Sequence, residues 1–584
     1  MAKTINKEVD AVIIGVGWSG GILAAELTKA GMKVVGLERG QERNTEDWMK
    51  DHDELRYAIR YELFQNVARE TWTLRHNLKE TALPFRQLGS FLPGTDVGGA
   101  SVHWNGQTWR FHPWDFTTRS STIARYGAKA IPTNSTIQDW GITYAQMEPY
   151  YDKFEYMAGI AGKAGNIKGK TIPGGNTFEG PRSREYPVPP MKMSRGLTVF
   201  QQAAKSLGYH VFPGPSANLP QPYTNPDGIT RGQCTYCGFC ERFGCEVGAK
   251  ASANVTVLPV AQKTGNFELR TGANVFQIKH DGKRATGVLY FDAQGQVQEQ
   301  PARIVIVTSY VFNNVRLLLH SKMGTPYDPT TGKGVVGKNY AYQNGGAGAG
   351  GFFEDRDFQP YMGAGALSQV LDDFNADNFD HSGLGFLGGG SISSGTSGAR
   401  PIQSLPTPAT TPSWGPEWKA AIRKYKNSSI SAGIQGGVFA YRDYFLDLDP
   451  TYKDQFGLPL LRMTFDWEPN ERKFAAYIAP KLKALIEATG AKQVVASGKL
   501  APHYDSVAYQ STHNTGGAIM GSSPSDSVVN NYLQMWDFDN VFVIGACNFP
   551  QNAGFNPTGT VGALAYRAAD GIVNKYKQHP GSLV

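Results

Sequence analysis

Cys234, Cys237, Cys240 and Cys245 follow the spacing C-x2-C-x2-C-x4-C, and together they make up four of the five cysteines in the chain. So tight a grouping excludes a disulfide-stapled scaffold and points to a metal site. Thiolates suit iron–sulfur clusters and zinc alike. A triplet with two-residue gaps wraps a compact cluster, close to the C-x2-C-x2-C-x3-C-P run of iron–sulfur ligation, whereas zinc knuckles usually place a longer loop between C-x2-C pairs. The last gap is one residue longer than in that run, and Glu246 rather than proline follows it. Zinc and free thiols stay open as alternatives. Cys547 stands alone and reads as buried and inert.

A second constellation lies near the amino terminus. An apolar strand, Val12 to Ile14, runs into Gly15-x-Gly17-x-x-Gly20, then into a helical pattern with apolar positions at Ile22, Leu23 and Leu27. A second strand, Lys33 to Leu37, ends at Glu38. Gly15 allows the tight turn, Gly17 lets backbone approach a pyrophosphate, and Gly20 lets the helix pack on the strand. The helix amino terminus offers free N–H groups to phosphate, and Glu38 stands where an acid accepts ribose hydroxyls. The pattern by itself does not separate FAD from NAD.

What must carry these groups is a large α/β chain. It has 584 residues, and its 30 Phe, 27 Tyr and 11 Trp exclude a disordered or fibrous protein. A net charge of +7 with no Lys/Arg block gives nucleic-acid binding little support. No segment is apolar for long enough to cross a bilayer as a helix. Met1 to Asp10 is polar, without a twin arginine or an apolar core, so the sequence read alone suggests the cytoplasm. Val275 to His280 and Thr286 to Phe291 read as paired strands around an Asp281-Gly282 turn. Strand Val541 to Ile544 is followed by a loop rich in glycine and proline, and then by a helix starting near Pro557 and Thr558. Gly345 to Gly351 and Gly388 to Ser394 are read either as surface loops or as close backbone packing near the active site.

Residues 94–110, GTDVGGASVHWNGQTWR, together with STHNTGGAIMG (511–521) and NVFVIGACNFPQNAGFNPTGTVGALAYRAADGI (540–572), resemble the glucose–methanol–choline (GMC) family of flavoenzymes. The resemblance runs over essentially the whole chain. It implies a GMC fold with a discontinuous Rossmann-like FAD-binding domain and an α+β substrate-binding domain. The FAD-binding domain would take 1–110, 230–345 (with the cysteine segment) and 500–584, and the substrate domain 111–229 and 346–499. It implies FAD contacts from Gly15, Gly17, Gly20, Glu38, Gly98, Gly99, His103, Asn105, Gly545, Pro557 and Thr558. His103 matches a position that in several members is bonded to the flavin 8α-methyl group. His513 and Asn556 match the family's catalytic pair. A neutral imidazole near pH 7 is the natural acceptor of a hydroxyl proton, and the Asn556 amide can donate to the substrate oxygen. Two departures stand out: Tyr342-Gln343 replaces the Asp-His of many members, and Thr308-Ser309-Tyr310 stands where relatives carry small residues.

The longer runs 86–110, 374–386 and 444–467 resemble the flavoprotein subunits of membrane-bound gluconate 2-dehydrogenases. This branch implies oxidation of a secondary hydroxyl of D-gluconate to 2-keto-D-gluconate, and a 3Fe–4S cluster drawn from Cys234, Cys237, Cys240 and Cys245. It also implies a small subunit with a twin-arginine signal and a membrane-anchored multihaem cytochrome c subunit as partners. Folded export with the signal-bearing partner would then place the chain in the periplasm, peripheral on the inner membrane. Alternatives with the same chemistry are 2-ketogluconate, a polyol such as sorbitol, or a glycoside oxidised at C3. A different class is a flavin-bound electron-transfer subunit without catalysis of its own.

Overall fold

The structure is a computed structural model and describes residues 4–48, 52–89, 91–396, 398–508 and 511–584. An eight-stranded sheet gathers strands from distant regions of the chain. Four of them, Phe267–Arg270, Val34–Leu37, Val9–Ile14 and the second half of Val297–Val307, lie side by side in parallel. Val541–Val543 extends this parallel set on the other flank of Val297–Val307. The core positions Ala11 to Ile14 and Ile304 to Val307 are buried without alternation, as expected of parallel strands covered on both faces. The first half of Val297–Val307 pairs instead with Ala285–Phe291, which pairs with Asn274–His280 in an antiparallel meander. The hairpin expected around Asp281 and Gly282 is thus present.

The register decides where a ligand can sit. Ile14 pairs with Leu37 and with Val307, and Val307 pairs with Val543. The carboxyl ends of these strands are level, so the segments that follow them emerge together, at the crevice where open α/β sheets bind ligands. The helix Trp18–Lys29 begins there, and the helix Thr558–Gly571 packs against it. Gly562 makes room for the neighbouring helix Tyr144–Ala158, since a Cβ there would lie 2.2 Å from the Phe154 ring.

A second, six-stranded antiparallel sheet has the order Gln493–Ser497, Gly348–Phe352, Ser429–Gly436, Gly390–Gly395, Ser368–Leu371, Val211–Pro213. Most of each glycine-rich stretch, from Gly348 and from Gly390 onward, is therefore strand, which corrects the surface-loop alternative. Glycine is used there for close approach: a Cβ on Gly351 would lie 2.6 Å from Ile486 on the helix Pro469–Ala488. A four-stranded sheet joins Thr73–Arg75 and Leu83–Pro84 to Phe445–Lys453 and Pro459–Thr464, tying early and late chain segments together. No helix among the described residues is long and apolar enough to cross a membrane.

Candidate active site

A cavity of about 360 Å³ opens at the carboxyl ends of the parallel strands. Of the expected site residues, Gly15, Gly17, Glu38, Gly99, His103, Asn105, Gly545, Pro557 and Thr558 line it, and His513 and Asn556 complete it. Gly20 and Gly98 do not line it. They act one layer beneath, where a Cβ on Gly20 would lie 2.1 Å from the Gly15 carbonyl oxygen and one on Gly98 would strike Asn254. Gly17 and Gly99 come close enough that a Cβ on Gly99 would stand 3.3 Å from the Gly17 Cα. Two glycine segments far apart in sequence thus leave bare backbone facing one space.

Two helices begin at this space, capped by Gly17 and Pro557, with no side-chain cap and no acidic residue in either first turn. Their free N–H groups and positive dipole ends suit a pyrophosphate. Glu38 is held at the rim by the N–H groups of Val16 and Gly40, each donating to one carboxylate oxygen at 2.9 Å. Burial raises its pKa against these bonds. Each oxygen keeps a lone pair for a further donor such as a ribose hydroxyl. The unusual Thr308-Ser309-Tyr310 turn also reaches the cavity, with Thr308 Oγ1 donating to the Gly15 carbonyl at 2.6 Å. Tyr310 has φ of 86° and starts the helix Val311–His320. The residues fit an FAD-sized dinucleotide.

His103 sits in the cavity wall with its ring 4.2 Å from that of Phe64. Its Nε2 is buried with no hydrogen-bond partner among the described residues. Burial, reinforced by the charges of Lys250 and Arg242, pushes its pKa down to about 3. The imidazole is therefore neutral.

His513 and Asn556 meet in the same lining. His513 Nε2 lies 3.2 Å from Asn556 Nδ2, and His513 Nδ1 lies 2.5 Å from Gln343 Oε1. Trp109 Nε1 donates to Asn556 Oδ1 at 2.9 Å. Trp109 is held in place by stacking on Phe555 (centroids 4.7 Å apart) and by its neighbour Arg110, which makes a forked ion pair with Glu155. Burial lowers the His513 pKa to about 4, with the Glu241 carboxylate opposing the shift. Glu241, which also lines the cavity, is paired with Arg400 at 3.1 Å. Residue type alone does not single out Gln343, Trp109 or Glu241. The one signal for Gln343 is its place in the departure at Tyr342-Gln343.

The four cysteines lie beside this wall and none of them lines the cavity, although Glu241 of the same segment does. Lys250, fully buried, ties the two together by donating to the carbonyls of Trp104 (2.8 Å), Cys240 (2.6 Å) and Phe243 (2.9 Å). Each buried thiol is turned to a local partner: Cys234 Sγ accepts from the Tyr236 N–H at 3.4 Å, and Cys240 Sγ faces Asn218 Oδ1 at 3.7 Å. Burial pushes Cys234 up to about 11 and Cys240 up to about 12. The donor set is right in type for a cluster. Among the described residues, however, no three His, Cys, Asp or Glu side chains converge to hold a metal ion.

Two family models, both described as GMC oxidoreductase, match residues 138–343 and 445–565. The gluconate 2-dehydrogenase flavoprotein of Pantoea cypripedii is 46% identical over 99% of this chain and 95% of its own length. The 2-methyl-1,2-propanediol dehydrogenase of Mycolicibacterium austroafricanum is 29% identical over 98% of this chain and 96% of its own. The fructose dehydrogenase large subunit of Gluconobacter japonicus is 26% identical over 97% and 98%. In architecture the chain is similar to pyridoxine 4-oxidase from Mesorbium loti, with a TM-score of 0.57 at 16% identity over 98% of this chain and 100% of that one. A dinucleotide cradle at level strand ends, a histidine–asparagine pair facing it, and these full-length matches lead to one conclusion: the chain belongs to the GMC oxidoreductase family of FAD-binding enzymes.

Proposed function

We propose that this enzyme is a dehydrogenase of sugar acids that oxidises a secondary hydroxyl of D-gluconate to 2-keto-D-gluconate. The observation that carries the reading is the His513–Asn556 pair on the wall of the dinucleotide cavity. The substrate class is drawn from the full-length likeness to the Pantoea flavoprotein. FAD, when bound, supplies the acceptor for the hydride. Gly17, Gly99 and the two helix amino termini would hold its pyrophosphate, and Glu38 its ribose. His513 Nε2 takes the hydroxyl proton, and being neutral at pH 7 it is ready to do so. Asn556 Nδ2 donates to the substrate oxygen and orients the carbon that is oxidised. The carboxylate of Glu241 favours the imidazolium that results.

A second reading, a neutral polyol such as sorbitol, draws support from that same carboxylate. Glu241 is an acidic lining residue already engaged with Arg400. One experiment separates the two: a panel of sugar acids and polyols mixed with the purified enzyme without oxygen, following flavin bleaching. Gluconate should bleach the flavin. Bleaching by sorbitol or a glycoside but not by gluconate overturns the substrate assignment.

An iron–sulfur cluster on the segment Cys234–Cys245 is a separate proposal, resting on the chemistry of four neighbouring thiols. With it go a cytochrome c subunit and a small signal-bearing subunit as partners, and a periplasmic location. Iron and acid-labile sulfide analysis tests the cluster, and a protein free of both removes it.

A further inference from the structure

We propose that Gln343 and Trp109 are positioning residues that fix the proton of His513 on Nδ1 and leave Nε2 as the only accepting atom. The inference rests on the reading of His513 as the base and adds what holds it in the working form.

The geometry fixes the direction of each hydrogen bond. Gln343 Nε2 lies 2.9 Å from both the Ala553 and the Phe555 carbonyl oxygens. Carbonyl oxygens only accept, so the donating end of the amide must face them. Turned over, the amide would set its own oxygen against two acceptors. Gln343 Oε1 is thereby committed to His513 Nδ1, and since that oxygen also only accepts, Nδ1 carries the hydrogen. In a neutral imidazole Nε2 is then bare.

The other end of the relay is fixed independently. An indole N–H only donates, so Trp109 holds Asn556 by its Oδ1 and turns its Nδ2 toward His513 Nε2. The opposite tautomer would face the Asn556 N–H with a second N–H. Both termini of the relay are groups that cannot reverse roles, so every hydrogen between them is determined.

Backbone register brings the partners together. Ala341 pairs with Thr515 in an antiparallel bridge. Two residues on from Ala341 and two back from Thr515 stand Gln343 and His513, so the period of two faces them toward each other. Gln343 is fully buried, and the loop it grips runs on to Phe555 and Asn556. One side chain therefore positions both the base and the loop of its partner. The charged group facing His513 is Glu241, from the cysteine segment.

The test uses the FAD-loaded enzyme labelled with 15N-histidine, the His513 signals being identified by their loss in His513→Gln. The expected result is a protonated, pyrrole-type Nδ1 and an unprotonated Nε2; a proton on Nε2 overturns the proposal. In parallel, Gln343→Leu should lower the rate of flavin reduction at saturating substrate at least tenfold with KM changed less than threefold. Gln343→Glu, which restores an acceptor at Nδ1, should recover some of that rate and move the acid limb of the pH profile upward. Full rate and an unchanged pH profile in Gln343→Leu also overturn it. If that variant fails to bind flavin, the labelled wild-type spectrum decides alone. Loss of activity in His513→Ala alongside an indifferent Gln343→Leu would remove only the positioning role. An indifferent His513→Ala removes the reading beneath it.

Discussion

His513 Nε2 and Asn556 Nδ2 lie 3.2 Å apart, each on a loop anchored by the other's surroundings. Asn552 Nδ2 donates to the His513 carbonyl at 2.8 Å, and the Asn552 loop continues to Asn556. The pair is therefore set by backbone held in place, and not by two mobile side chains meeting by chance.

This makes the two residues a kinetic unit. His513→Ala should slow flavin reduction by roughly 10²- to 10⁴-fold, the usual worth of a general base. Asn556→Ala should cost about 10²- to 10³-fold, as for a donor to developing negative charge. Because either loss disables the other group, the double variant should be far less impaired than the product of the two effects. Anaerobic stopped-flow bleaching measures all three, and full multiplicativity would argue against a shared step.

Much of this arrangement is legible in the sequence. The Gly15-x-Gly17-x-x-Gly20 motif, Glu38 and the hairpin at Asp281 are local, and local signals survive translation into three dimensions. Contact across the chain is not legible in the same way. Gln343 meets His513 through a single antiparallel register, and Trp109 meets Asn556 across 447 positions. The glycine stretch Gly348 to Phe352 hides a strand, because its small residues serve a helix packed against them and not a β-propensity pattern. The cysteines differ again: their spacing is a strong motif that is local in sequence, and two of the thiols, Cys234 and Cys240, also meet protein partners.

Stability should depend on pH through His513. Burial holds its folded pKa near 4, below about 6.5 for an unfolded histidine. The folded state therefore binds fewer protons. The stability it contributes is complete above pH 6.5 and is lost as pH falls through 6.5 toward 4. Denaturant unfolding of the wild type and of His513→Gln should thus diverge between pH 7 and 4, the variant losing less stability on acidification. Parallel curves over that window would contradict a buried neutral His513.

His103 offers a chemical readout. Its neutral ring lies in the wall of a cavity that fits a flavin dinucleotide, and its buried Nε2 has no hydrogen-bond partner among the described residues. If that nitrogen is bonded to the isoalloxazine, acid-precipitated protein should stay yellow, and a peptide spanning His103 should carry the flavin mass. His103→Ala should release its flavin on the same treatment while still binding it in the folded state. Colourless wild-type precipitate with free FAD in the supernatant would show that the ring only packs against the cofactor.

The glycines can be sorted by what a methyl group would meet. On Gly20 it would lie 2.1 Å from the Gly15 carbonyl oxygen, a backbone atom held by the strand-to-helix turn. On Gly350, inside the strand Gly348–Phe352, nothing lies within 4 Å. Gly20→Ala should therefore destabilise the protein by at least about 1–3 kcal/mol, the cost of overpacking, and weaken FAD binding because the turn must open. Gly350→Ala should be neutral or add up to about 1 kcal/mol by restricting the unfolded chain. Urea unfolding of both variants measures the difference, and the ordering matters more than the size. If Gly20→Ala proved as stable as Gly350→Ala and bound FAD as tightly, the close approach of helix to strand would not be what Gly20 provides.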